Sequence, residues 1–347
     1  MSRAPAIVSE HAAPSTLPAL TVLQSSGRPT RTTNPYLLQL LDALPPPLRI
    51  EYFSMKRALF SRYDVFHVHW PEYLVRHRTR AGTWAKQAGM ALVLLRLWAM
   101  RIPIVRTLHN LAPHEAGNLG ERVLLRWMDR LTTLWIRINP ATQERAPATV
   151  TILHGHYRAW YAAIPKPRPV AGRLLHFGLL RRYKGVETLL ACMQALDDPS
   201  LSLRIVGNPA SEELADEVRA GCRRDPRISA RLEYVDDETL AREIGEAELV
   251  VLPYRQMHNS GTLLLSLSLD RPVLAPANDA NAAIAAEVGP GWVYLYEGEI
   301  DASLIADTLA RVRERDDGAP DLSARDWERL GQQHHRAYAA ALRSKAS

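Results

Sequence analysis

A handful of short segments hold the side chains that could do chemistry. One apolar stretch is followed by His67, His69 and Glu72 in HVHWPE, a second by His109, His114 and Glu115 in TLHNLAPHE, a third by His154 and His156 in LHGHY. Histidine and glutamate are residue types that take a proton from a hydroxyl. A fourth segment, FGLLRRYKG, sets Gly178, Arg181 and Lys184 just before a helical pattern. Two cations beside the free amides of a helix start suit an anion such as a diphosphate. A fifth, YRQMHNSGT, runs from Tyr254 through His258, Asn259, Ser260 and Gly261 to Thr262, again between an apolar strand and an apolar helix. In a sixth, VGNP, Asn208 follows a strand and a glycine turn that could line a nucleotide base.

Each of these has an ordinary structural reading. Cation pairs are often solvated loops, serine and threonine are common helix caps, and a histidine at a strand end is often a satisfied structural residue. What favours an anion site is that the Gly178 and Thr262 loops would lie at the carboxyl edge of one sheet and converge.

That convergence depends on the elements. Short apolar strands alternate with helical patterns along the chain, the rhythm of parallel sheets covered on both faces. In the first half, strands are predicted at 20–23, 50–53, 65–68, 102–108 and 150–153, with helices at 36–44, 55–61, 83–100 and 120–133. Residues 162–172 hold Pro165, Pro167 and Pro169, which is linker composition. The rhythm then restarts: strands at 174–177, 201–206, 231–235, 249–252, 273–275 and 292–296, helices at 185–196, 212–222, 238–247, 262–269, 301–314 and 325–343. The expected fold is α/β, with two doubly wound domains enclosing a cleft at the carboxyl ends of their strands. Residues 1–18 are expected to be a mobile tail, 19–161 the first domain and 173–324 the second.

Composition narrows the function classes. The 347 residues are 47% hydrophobic and 23% charged, the profile of a globular protein of about two domains. Two cysteines in helical patterns make neither a disulfide framework nor a metal site. The net charge of +6 hides a polarity: residues 1–165 hold 20 basic and 9 acidic side chains, the remainder 23 and 28. The basic half suggests an anionic surface as partner. The basic side chains Arg76, Arg78, Arg80, Lys86, Arg96, Arg101 and Arg106 gather around the 83–100 helix, which also carries Trp84, Leu94 and Trp98. That mixture suits a helix lying on anionic lipid. No signal-peptide core and no spanning run is evident, so a peripheral place on the cytoplasmic face of the inner membrane is expected. Nucleic acid is not an expected partner, since no stacking-aromatic or helix-turn-helix signature accompanies the charge.

The segments FGLLRRYKGVETLL and LVVLPYRQMHNSGTLLLSLSLDRPVLA resemble the donor-diphosphate motif and the nucleotide-sugar loop of the GT-B glycosyltransferases, and the likeness covers both domains. It implies two Rossmann-like domains, with C-terminal helices crossing back to the first. It also implies donor contacts from Gly178, Arg181, Lys184, Asn208, Tyr254, His258, Asn259, Ser260, Gly261 and Thr262. Retaining members often carry two glutamates eight positions apart, but Met257 and Leu265, or His258 and Ser266, stand there. Through TNPYLLQLLDALP, SRYDVFHVHWPEYL, VRTLHNLAPHE, ILHGHYRAWY and QMHNSGTLLLSLS, the chain further resembles the β-mannosyltransferases of xanthan-type exopolysaccharide assembly. This resemblance implies a GDP-mannose donor and a polyprenyl-diphosphate-linked oligosaccharide acceptor ending in glucuronic acid. It also implies inversion at the anomeric carbon, with no metal and no cofactor. His109 matches a position at which the family places a histidine beside the donor sugar, so Glu115 and then Glu72 precede it as expected catalytic base. The alternatives are a GT-B nucleotide-sugar epimerase on a soluble substrate, against which the basic apolar helix speaks, or another hexosyltransferase on a lipid-linked acceptor.

Overall fold

The computed structural model describes residues 18–30, 33–109, 117–141, 148–255, 261–315 and 318–346. The chain divides into two compact units, residues 1–155 with 325–347, and residues 156–324. The expected tail, 1–17, lies outside the described residues.

In the first unit the order is β1 (Thr21–Gln24), α1 (Pro35–Ala43), β2 (Arg49–Tyr52), α2 (Met55–Phe60), β3 (Val65–Val68), α3 (Glu72–Val75), α4 (Arg80–Ala99), β4 (Ile104–Leu108), α5 (Leu119–Leu131), β5 (Thr132–Arg137) and β6 (Thr149–Thr151). The second unit runs β7 (Arg173–Phe177), α6 (Val186–Ala195), β8 (Ser202–Val206), α7 (Glu212–Arg224), β9 (Ile228–Arg231), α8 (Asp237–Glu246), β10 (Leu249–Val251), α9 (Gly261–Ser268), β11 (Val273–Pro276), α10 (Asp279–Val288), β12 (Val293–Tyr296) and α11 (Ala302–Arg313). The last helix, α12 (Trp327–Ala346), belongs to the first unit.

Both sheets are six-stranded and parallel, in the orders β2-β1-β3-β4-β5-β6 and β12-β11-β10-β7-β8-β9. Alternate residues of each strand serve opposite faces. In the first sheet Val22, Val65, Val105 and Ile136 pack against Leu330, Tyr338 and Ala341 of α12. Leu23, Phe66 and Ile104 pack on the other face against Met90, Val93, Leu94 and Leu97 of α4 and Leu124 and Met128 of α5. The second sheet divides likewise, with Leu203, Ile205 and Val251 on the face of α6, α7 and α11, and Leu175, Val250 and Leu252 on that of α8, α9 and α10.

Several elements depart from the sequence-based expectation. Thr132 to Arg137 is a strand whose first residues were expected to end a helix, and β9 lies at 228–231 rather than 231–235. The helix α10 and the short α3 were not anticipated. Residues 156–161, expected in the first domain, lie with the second, where the Tyr157 amide donates to Ser268 Oγ at 2.9 Å.

Candidate active site

In the second unit, two glycines let the backbone of one loop close over the next. Gly178, straight after β7, has φ +103°, and Gly207, straight after β8, has φ +144°. A β-carbon on Gly207 would stand 1.9 Å from the Gly178 carbonyl oxygen, so no side chain fits there. Backbone hydrogen bonds from Leu180 to Asn208 and from Ala210 to Leu180 tie the two loops together. Asn208 itself is exposed at this edge.

Lys184 and Thr262 meet over Gly178. A β-carbon there would be 3.5 Å from Lys184 Nζ and 3.6 Å from Thr262 Oγ1. The Tyr254 hydroxyl donates to Thr262 Oγ1 at 3.4 Å, and Lys184 Nζ sits 5.1 Å from the centre of the Tyr254 ring. The expected residues Gly178, Lys184, Tyr254 and Thr262 are thus brought together, with Gly261 as the first residue of α9 beside them. His258, Asn259 and Ser260 lie outside the described residues.

The electrostatics favour an anion. Lys184 is buried, and its pKa is lowered first by burial and then by repulsion from Arg181. Arg181 Nε is buried without a hydrogen-bond partner. Among the described residues neither cation has a carboxylate partner, whereas their neighbours Arg182 and Arg255 pair with Glu217 and Glu187. A phosphate oxygen would satisfy the buried Arg181 donor and relieve the repulsion. Leu265 and Ser266 of α9 supply no carboxylate; Ser266 Oγ donates instead to the Thr262 carbonyl at 2.8 Å. Behind Lys184, the buried His176 donates from Nδ1 to the Val251 carbonyl, and burial holds its pKa down to about 4.

In the first unit, Gln24, His67, His69 and His109 lie at the carboxyl ends of β1, β3 and β4, which are neighbours in the sheet. His69 Nδ1 is 3.1 Å from His109 Nε2, and His69 Nε2 is 3.2 Å from Gln24 Oε1. His67 bonds Thr107 Oγ1 and the Tyr338 hydroxyl, both at 2.8 Å. Tyr36 packs edge-on to His109 and close to His154, while Trp70 stacks on His109 with ring centres 4.2 Å apart. Burial is the largest cause holding His67, His69, His109, His154 and His334 below the ordinary histidine value, to about 3 for His69 and about 4 for His154 and His334. These side chains are therefore neutral near pH 7. Among the described residues no three histidine, cysteine or carboxylate side chains are arranged to hold a metal ion. Glu72, half-exposed, opens α3, and His109 is partly exposed at the rim. His114 and Glu115 lie outside the described residues, whereas His156 is buried in the second unit.

Sequence reading had His67, His69, His109 and His154 but missed Gln24, Tyr36, His334 and Tyr338. Their usable signal was strand order, since adjacent parallel strands put their carboxyl ends side by side.

The expected membrane-facing set is divided. Trp84 and Trp98 are 75% and 61% exposed, accompanied on α4 by exposed Leu92 and Leu95. Leu94 was expected with them but is 0% exposed, because its position on the helix faces the sheet. Arg96 also turns inward: its guanidinium donates to the Ala58 and Ser61 carbonyls, both at 2.6 Å, and closes the end of α2. Arg76 forms a two-pronged pair with Glu121, and Arg106 pairs with Asp129. Arg78, Arg80, Lys86 and Arg101 also have no carboxylate partner among the described residues, with Lys86 Nζ donating to the Tyr73 carbonyl. No described helix is long and apolar enough to cross a membrane.

Known proteins share this architecture. The family described as Glycosyl transferases group 1 matches residues 171–314. A GDP-mannose:glycolipid 4-β-D-mannosyltransferase of Xanthomonas campestris pv. campestris is 60% identical over 326 residues, covering 94% of this chain and 93% of that one. Among solved structures, HepE of Anabaena in complex with UDP covers 94% of this chain and 98% of its own at TM-score 0.59 and 18% identity. The catalytic domain of starch synthase IV from Arabidopsis thaliana, bound to ADP and acarbose, covers 81% and 73% at TM-score 0.53 and 9% identity. At those identities the likeness speaks for the fold alone. With 60% identity to a curated relative over nearly its whole length, the chain belongs to the group 1 glycosyltransferases of GT-B fold and is a glycosyltransferase.

Proposed function

We propose that this enzyme transfers mannose from GDP-mannose to a polyprenyl-diphosphate-linked oligosaccharide ending in glucuronic acid, with inversion, in exopolysaccharide assembly. The observation that carries the donor half is Lys184 Nζ over Gly178 beside Thr262, with Arg181 three residues before it, neither cation having an acidic partner among the described residues and the buried Arg181 Nε unsatisfied. The choice of GDP-mannose and of a glycolipid rests on the 60% identical relative of that name.

The chemistry follows from the site. An acceptor hydroxyl oxygen attacks C1 of the mannose, the C1–O bond to the diphosphate breaks, and its electron pair leaves with GDP. Arg181 and Lys184 meet the charge that builds on the leaving diphosphate, the kind of fixed electrostatic stabilisation that accelerates such steps. The hydroxyl proton goes to a base of the first unit, with Glu115, Glu72 and His109 as candidates in that order. Neither expected register supplies the glutamate pair seen in retaining members, which supports a single displacement. Alanine at each base candidate, with transfer and donor binding measured separately, identifies the base as the variant that binds donor and no longer transfers; full activity in all three removes them from the mechanism.

We further propose that the outer face of α4, with Trp84, Trp98, Leu92, Leu95 and the nearby Arg78, Arg80, Lys86 and Arg101, rests on the anionic cytoplasmic leaflet, where the lipid-linked acceptor resides. Apolar side chains among cations suit that interface. The function as a whole is tested by offering a panel of labelled nucleotide sugars with membrane extract that holds lipid-linked acceptors. Label is expected in lipid from GDP-mannose, and transfer from a UDP-sugar alone overturns the donor assignment.

A further inference from the structure

We propose that Trp70 is a binding platform for the acceptor, the open part of its indole taking the C–H face of a pyranose ring of the acceptor oligosaccharide. Trp70 comes two residues after β3, at the carboxyl edge of the first sheet, the edge at which parallel sheets receive ligands. Its ring lies nearly parallel to that of His109, with 20° between planes and 4.2 Å between centres, so one face of the indole is covered. The residue is nevertheless only half-buried, which leaves exposure for the rest of the ring. Its Nε1–H has no hydrogen-bond partner among the described residues and is not one of the buried donors. A tryptophan sunk in a core usually satisfies that group, whereas one with an apolar body and a wet tip belongs to an interface.

The platform is braced from behind. His109 meets the buried Tyr36 edge-on at 5.0 Å, and Tyr36 meets Trp327 at 5.4 Å. Trp327 in turn lies over Gly155, where a β-carbon would stand 2.3 Å from the indole. Four rings, from the loop after β3, the end of β4, α1 and α12, thus form one series of contacts, and Trp70 ends it. Its ring plane is set before any ligand arrives, which removes part of the ordering cost of binding.

A pyranose whose substituents are equatorial is apolar on its two faces and polar around its rim. A flat ring with one side backed and an N–H at its margin matches that division, with C–H groups against the ring and a hydroxyl oxygen on the N–H. The glucuronic acid proposed to end the acceptor has equatorial ring substituents when β-linked. The identity of the sugar therefore rests on the proposed function, while the open indole does not.

The test begins with NMR of the full chain labelled with 15N-tryptophan, in which one of eight indole N–H signals is assigned to Trp70 through W70F. Methyl β-D-glucuronide, a soluble probe that needs neither lipid nor transfer, is expected to move the Trp70 signal saturably and to leave those of Trp84 and Trp98 in place. An unmoved Trp70 signal overturns the proposal, and this wild-type readout stands whether or not any variant folds. With the lipid-linked acceptor, W70L, which keeps apolar bulk and removes the flat face, is expected to raise the acceptor KM about tenfold, the upper end of what an aromatic contact contributes, and to leave the GDP-mannose KM unchanged. W70F, which keeps a flat ring, is expected to retain most of the acceptor affinity. An unchanged acceptor KM in W70L, or a rise in the donor KM in its place, also overturns the proposal. A Trp70 signal that shifts as expected in an enzyme that transfers no mannose counts against the proposed function alone.

Discussion

Lys184 and Arg181 hold two positive charges together without a carboxylate between them among the described residues. Burial already lowers the Lys184 pKa, so the bound diphosphate is expected to raise it. Replacing Lys184 by alanine removes a preorganised charge from the leaving group, and kcat/KM is expected to fall about 10²–10³-fold, with GDP affinity falling in calorimetry. A loss of less than about threefold would place the diphosphate elsewhere. Gly178 gives a second test at the same place. A G178A side chain must adopt φ near +103° and enters the space between Lys184 Nζ and Thr262 Oγ1, so donor binding should weaken while Asn208→Ala, on the exposed end of the next loop, weakens it less. Equal effects from the two would contradict the proposed seat of the phosphates.

On the scale of elements, α4 has two unlike faces, one packed in the core and one proposed to meet the membrane. Its inner face packs Met90, Val93, Leu94 and Leu97 against the sheet, while its outer face exposes Trp84 and Trp98. Leu94→Ala is expected to cost about 2–5 kcal/mol of stability and to leave binding to anionic vesicles unchanged. A Trp84→Ser, Trp98→Ser double variant is expected to do the reverse, losing vesicle binding with stability changed by roughly 0.5 kcal/mol. Wild-type sedimentation of the double variant with vesicles would remove the membrane face. The sequence showed this helix as apolar nearly all round, which is why Leu94 and Arg96 could not be told from Trp84 and Trp98 until the sheet was seen beneath them. The same limit explains β5. No glycine or proline separates α5 from β5, and the turn is made by Thr132, whose hydroxyl donates to the Met128 carbonyl at 2.9 Å. For β9, the polar run ISAR is selected by pairing with Leu203 to Val206 of β8, a long-range choice that local apolarity at 232–235 does not reveal. The missed α10 did carry local signals that went unused: Asn278 caps it by accepting from the Asn281 amide, and Gly289 ends it. The meeting of the proposed donor loops was readable because each lies within one strand-loop-helix segment, while the histidine group is assembled from β1, β3, β4, the 154 loop and α12.

Across the whole molecule, the buried histidines tie stability to pH. Folding holds His69, His154, His176 and His334 at about 3 to 4, and His67 and His109 also well below their ordinary value. The unfolded chain, whose histidines titrate near 6.5, therefore binds more protons than the folded chain as the pH drops below that value. Their stability contribution is complete above about pH 6.5 and is lost as pH falls toward the folded pKa values, at roughly 1.4 kcal/mol per pH unit for each histidine within its window. Thermal unfolding followed by circular dichroism should show Tm falling steeply from about pH 6 to 5, and a flat Tm over that range would mean that the histidines are not held neutral. The charge polarity of the chain also resolves at this scale. Several cations of the basic first unit are spent on internal pairs, leaving a smaller basic rim beside α4, while the proposed diphosphate site lies in the acidic second unit. Net charge thus points toward a surface and away from the chemistry. The central claim, an inverting transfer of mannose to a lipid-linked acceptor, is tested most directly by the configuration of the new linkage. Purified enzyme, GDP-mannose labelled with 13C at C1 and lipid-linked oligosaccharide should yield a product whose one-bond carbon–hydrogen coupling at that carbon is that of a β-mannoside; an α-mannoside, or label that never leaves the nucleotide, would contradict it.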